Sequence, residues 1–164
     1  MKKLILTFAV VCLAALAEAS VTGYWQTIDD ETGAPKSVVR VYEEGGLIFG
    51  AIVFTYNPEG APNVVAAPNG AMQCNEAVKA DAMAQTGQQA PAYCGLVIIK
   101  DLKPAKGGRY DGGTITDPKK NKIYKAEMWL EGAELIVRGK IAFLGRNQTW
   151  KPFTQAQLDA VLNP

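Results

Sequence analysis

The mature part of this chain is a run of short β-type segments divided by turn residues, and that punctuation limits the fold more than any other feature. Thr22 to Ile28 is followed by a loop, Asp29 to Pro35. Lys36 to Tyr42 is followed by Glu43-Glu44-Gly45-Gly46, and then by Leu47 to Tyr56. Segments of this kind joined by tight turns predict an antiparallel meander. Strands resume at Gly95 to Leu102, Arg109 to Thr116, Lys122 to Leu130, Glu134 to Ala142 and Arg146 to Phe153, which makes eight in all. Thr154, with Gln157 at the reciprocal position, predicts an N-capped short helix through Leu162.

Periodicity assigns the faces. In Glu134 to Ala142, Leu135, Val137, Gly139 and Ile141 share one face, opposite Glu134, Ile136, Arg138 and Lys140. In Lys122 to Leu130, Tyr124, Ala126, Met128 and Leu130 oppose Ile123, Lys125, Glu127 and Trp129. One apolar and one mixed side is the pattern of a sheet with one solvated face. No stretch alternates strand with helix, which disfavours a parallel α/β sheet. A barrel and a two-sheet sandwich both satisfy eight antiparallel strands. Sequential hairpins favour the up-and-down barrel, which leaves no free edge.

Residues 57–93 interrupt the meander. They carry Asn-Pro, Ala-Pro and Pro-Asn-Gly breakers, then an Ala-rich stretch in which Ala77, Val78, Ala80 and Ala82 predict a short helix. An excursion this long in a compact domain is expected to be functional or to cover something.

The first residues read as a leader. Met1-Lys2-Lys3, an apolar run from Leu4 to Leu16 and Ala17-Glu18-Ala19 form a basic head, a greasy middle and a small-x-small exit. The run is about 13 residues, short of the roughly 20 that span a bilayer. Residues 1–19 are therefore expected to be a signal peptide cleaved after Ala19, leaving residues 20–164 as one domain. Cys12 follows two valines inside the apolar run, which disfavours a lipid-modified cysteine. Removing Lys2, Lys3 and Glu18 takes the net charge from +1 to +1 − 2 + 1 = 0. A neutral chain gives no electrostatic case for nucleic acid. No later stretch has the length of a membrane span. The expected location is exported, periplasmic or secreted. There, the two cysteines left from three, Cys74 and Cys94, are expected to form a structural disulfide.

Candidate chemistry is sparse. The chain has no His, which removes most triads and zinc sites. Asp111, Asp117 and Glu127 are the candidates for a carboxylate pair, although Asp117-Pro118 reads as a turn. Asp29-Asp30-Glu31 lacks the ligand spacing of a calcium loop and reads as a solvated turn. Gly112-Gly113 lacks phosphate-loop spacing and reads as a bend or a close packing point in a strand. No catalytic set, metal site or cofactor is expected.

Gly23-Tyr24-Trp25 opens the first strand and Gly145-Arg146-Asn147-Gln148-Thr149-Trp150 lies in the last. Between them stand Gly95-Leu96-Val97-Ile98-Ile99, Tyr110 to Pro118 and Leu135-Ile136-Val137-Arg138-Gly139. Together these motifs resemble a family of small exported bacterial proteins of unknown function with a lipocalin-like, calycin-type β-barrel. The resemblance spans residues 23–152. It implies an eight-stranded antiparallel barrel and an envelope or secreted location, and no established activity. The Gly-x-Trp opening is also similar to the lipocalin signature, which implies that Trp25 closes the barrel floor against a late-strand arginine. Arg146 is the candidate partner and Arg138 the other.

A barrel of eight strands is either filled by side chains or holds one small ligand. The residues expected to face the interior and line a cavity are Phe49, Val53, Tyr124, Met128, Leu135 and Val137. Gly139 and Ala126 would leave room, and Arg138 or Glu127 would be a polar anchor if turned inward. The favoured expectation is a binding module for a small hydrophobic or amphipathic ligand. The alternative is a filled barrel that meets an envelope protein or a second copy through segment 57–93.

Overall fold

The structure is a computed structural model and describes residues 20–80, 91–142 and 144–164. Residues 1–19, expected to be a leader, and the centre of the excursion lie outside the described residues. Eight strands close into an antiparallel barrel: β1 (Gly23–Ile28), β2 (Pro35–Glu44), β3 (Leu47–Thr55), β6 (Val97–Pro104), β7 (Tyr110–Asp117), β8 (Lys122–Glu131), β9 (Glu134–Ile141) and β10 (Leu144–Phe153). Strand β1 closes the ring by pairing with β2 on one side, Trp25 opposite Val39, and with β10 on the other, Trp25 opposite Pro152. Apart from the closing pair β1–β10 and the pair β3–β6, each barrel neighbour is also the neighbour in the chain, so the barrel is an up-and-down meander with one excursion.

The turns supply the closure chemistry. Gly45 and Gly46 join β2 to β3 at φ 59° and 78°, the paired positive values that match strand twist in a two-residue hairpin. The Asp117 carboxylate accepts the Lys119 and Lys120 amides at 2.9 and 3.1 Å and shapes the β7–β8 turn. Gly113 lies where β6 and β7 press together. A Cβ there would overlap the Lys100 carbonyl oxygen and come within 2.6 Å of the Leu102 amide nitrogen.

The excursion contains β4 (Val64–Ala66) and β5 (Met72–Cys74), a small hairpin outside the barrel that the sequence reading did not anticipate. A Cys74–Cys94 disulfide ties β5 to the chain just ahead of β6. The short helix expected from Ala77 onward is not formed as far as Ala80. Residues 76–77 make a turn and Lys79 bridges to Ala92. The rest of that expected helix lies outside the described residues. Helix α1 (Gln155–Leu162) begins at Thr154 with the full reciprocal capping box to Gln157.

Two apolar clusters hold the molecule. The inner one fills the barrel with Trp25, Val39, Val41, Ile48, Ile52, Ile99, Leu102, Met128, Leu135, Val137 and Trp150. The second lies between the outer wall and α1, and is built on Val38, Phe54, Phe153 and Leu158. A bulge creates it. Val39 pairs with Ile52 but Val38 pairs with Phe54, so Val53 is an extra residue and Phe54 turns outward.

Several expected interior residues are therefore misplaced by the sequence reading. Phe49 lies on the outer face of β3, opposite Tyr42, and stacks on that ring at 5.8 Å. Val53 is the bulge residue and packs against the outer cluster. Arg138 alternates outward from Val137 and lies across Gly145, where a Cβ would overlap its Nε and approach its Cζ to 2.8 Å.

Candidate functional site

The barrel has one packed end and one open end. At the packed end Trp25 is 6% exposed and its indole Nε1 donates to the Val21 carbonyl at 2.8 Å. Ile48, Leu102, Met128 and Leu135 are buried around that end. The Trp25 indole is thus buried at this end on a backbone carbonyl and on neither candidate arginine. Arg146 is at the opposite end, bonded to Asp30 at 2.9 Å, and Arg138 is on the outer wall. The guanidinium stack on an indole occurs elsewhere: Arg109 lies over Trp129 at 4.0 Å, on the outside of β7 and β8.

At the open end a cavity of about 1110 Å³ enters the barrel between the β1–β2, β7–β8 and β9–β10 turns and the ends of the excursion. Ile52, Val137 and Trp150 line its deep part, and Ile98, Ile115 and Tyr124 line its wall. Gly139 keeps it wide. A Cβ there would sit 3.6 Å from Ile115 and Tyr124, with no backbone in the way. Of the expected lining residues, Tyr124 and Val137 meet the cavity; Met128 and Leu135 face inward but are consumed by the packed end.

Above the apolar part is a belt of hydroxyls. Thr27 and Ser37 share a hydrogen bond of 2.8 Å, and Asn63 from the excursion donates to Thr55 at 2.9 Å. Charge gathers at the rim. Asp29 accepts the backbone amides of Glu31 and Thr32 at 3.1 and 3.0 Å, and Lys36 lies 3.9 Å away. Those amides, first that of Thr32, hold its carboxyl below the usual range, with a lesser push from Lys36. On the other side of the mouth the Lys119 and Lys120 ammonium groups form no ion pair among the described residues.

The excursion borders this mouth. Val78 and Tyr93 reach the cavity, and the Tyr93 amide bonds to the Val78 carbonyl at 3.1 Å. Tyr56 also lines it; burial raises its phenol above the ordinary value, although Gln26 donates to it at 2.9 Å.

The carboxylates considered for catalysis do not converge in the cavity. Asp111 and Glu127 both pair with Lys140, and Glu127 also meets Arg109 at 3.9 Å, in a partly exposed network on the outer wall. Asp117 shapes its turn. Among the described residues no group of acids or cysteines is placed to hold a metal ion. The sequence reading missed Trp150, Ile98 and Ile115 as lining. Alternation was available for Trp150 and Ile115 but does not say which end of the barrel a residue reaches; for Ile98 it was not, because Ile99 beside it is also inward where the β3–β6 register shifts.

A closed eight-stranded meander, packed around Trp25 at one end and hollow at the other, defines the chain as a lipocalin-like barrel. It belongs to the bacterial family described as "Uncharacterized protein conserved in bacteria (DUF2147)", which matches residues 23–152. Among solved structures it is similar to protein HP1028 from the human pathogen Helicobacter pylori, described as belonging to the lipocalin family. The TM-score is 0.66 at 16% identity, over 89% of this chain and 92% of that one. At that identity the likeness concerns the fold. No curated protein matches the chain.

Proposed function

We propose that this protein is an exported, non-enzymatic barrel that holds one small hydrophobic or amphipathic molecule in its open half. The observation that carries this reading is the cavity: about 1110 Å³, apolar in its depth, hydroxylated above and charged at the rim. That is the size and layout of a small-molecule pocket. The gradient from apolar to charged suits a ligand with a greasy body and a polar end. The space left open favours this reading over a filled barrel that works only through partners. Export is supported by the disulfide, which belongs to oxidising compartments, and by the leader-like first residues.

The affinity follows from area. Burying about 300 Å² of apolar ligand surface yields roughly 7 kcal/mol, against about 4 kcal/mol or more for association. The remainder is near millimolar, so useful binding requires polar contacts at the belt or rim. The test is native mass spectrometry of protein purified without detergent, with titration of fatty acids and a polarity-sensitive hydrophobic dye. Stoichiometric uptake, reduced by Gly139→Leu, is expected. A barrel that takes up none of these would overturn the reading.

A further inference from the structure

Three of the four large exposed apolar side chains among the described residues gather at one edge of the cavity mouth: Ile123 (70% exposed), Ile141 (62%) and Leu144 (66%). Leu144 pairs directly with Ile141 across the β9–β10 turn, and the β8–β9 register places Ile123 on the adjoining strand end. Lysines flank this edge. Lys119, Lys120 and Lys122 are exposed and form no ion pair among the described residues. The one acid of their turn, Asp117, is engaged by the Lys119 and Lys120 amides.

From this we infer that the β7–β8 and β9–β10 turns form a docking edge for an anionic lipid bilayer surface, with the cavity mouth beside the point of contact. Apolar tips flanked by unpaired ammonium groups combine shallow insertion with attraction to lipid phosphates. Charge selects this occupant over a neutral apolar one. The acids of the mouth lie in the β1–β2 loop, across the mouth from the lysines of the β7–β8 turn and next to the β9–β10 turn. There Asp30 is neutralised by Arg146 and Asp29 faces Lys36. Glu31 is the one acid of that loop without an ion pair among the described residues. The inference concerns an outer surface and goes beyond ligand holding; either can fail without the other.

The test is co-sedimentation of the full-length mature protein with phosphatidylcholine vesicles, with and without phosphatidylglycerol, at low and high salt. Wild type should bind the anionic vesicles preferentially and release as salt screens the lysines. The variant Lys119→Gln/Lys120→Gln/Lys122→Gln should bind them at least about tenfold more weakly. Lys122→Gln/Ile123→Ser changes two residues outside the cavity lining. It should lose vesicle binding while still taking up dye from solution. Val65→Ser, at the exposed residue of β4 away from this edge, should bind like wild type. Equal binding to both vesicle types would overturn the inference. So would undiminished binding by both mouth variants, or a Val65→Ser loss as large as theirs. Dye uptake that fails while anionic vesicle binding persists would reject the ligand reading alone.

Discussion

Side-chain alternation succeeds or fails at single positions for identifiable reasons. Tyr124, Met128, Leu135 and Val137 were legible as inward because polar residues alternate with them. Phe49 and Val53 were not, because Leu47 to Phe54 is apolar or glycine throughout, so no polar face marks the parity, and the bulge at Val53 resets it. Gly113 was legible as a packing point, and its test is direct. Gly113→Ala drives a methyl into the β6 backbone and is expected to cost about 3 kcal/mol, read as a lowered urea midpoint with an unchanged slope. Tyr56 gives a second test. Its folded pKa is raised by burial, so the unfolded phenol ionises first. Its contribution is complete below the unfolded value of about 10 and disappears as pH rises through the folded value. Urea midpoints should fall above pH ~10 less steeply in Tyr56→Phe than in wild type. The variant should also be weaker at neutral pH, by about 1 kcal/mol, for the lost Gln26 bond.

Among the elements, the barrel strands and the capped helix were readable because each is long enough to carry a period or a capping signature. Strands β4 and β5 span three residues each, too few for either signal. The Asn69-Gly70 turn between them, with Gly70 at φ 84°, was the one clue. The excursion depends on its tether. Cys74 packs in the outer cluster and Cys94 precedes β6, so neither is in a barrel strand. Cys74→Ser/Cys94→Ser is expected to cost roughly 3 kcal/mol by loop entropy. Hydrogen exchange should place the damage: amides of residues 57–80 exchange faster, while those of β8 and β9 keep their order of protection. Uniform loss of protection through the barrel would show that the tether belongs to the global fold.

For the molecule as a whole, the division between a packed and a hollow end could not be read from sequence, because Tyr124 and Met128 share one face of one strand yet reach opposite ends. That division makes stability and binding separable. Trp25→Ala removes a nearly buried indole and its bond to Val21 at the packed end. It should cost about 3–5 kcal/mol, while dye affinity measured below the unfolding transition changes little, since Trp25 does not line the cavity. Gly139→Leu acts at the other end. Its side chain enters the open space beside Ile115 and Tyr124, so it should leave stability within about 1 kcal/mol while displacing ligand. Melting curves and dye titrations on both variants form a crossed comparison. If Trp25→Ala lowers affinity as much as stability in protein that remains folded, or Gly139→Leu destabilises without affecting uptake, the two ends are not independent. The hollow half would then be better explained as slack in one continuous core than as a site.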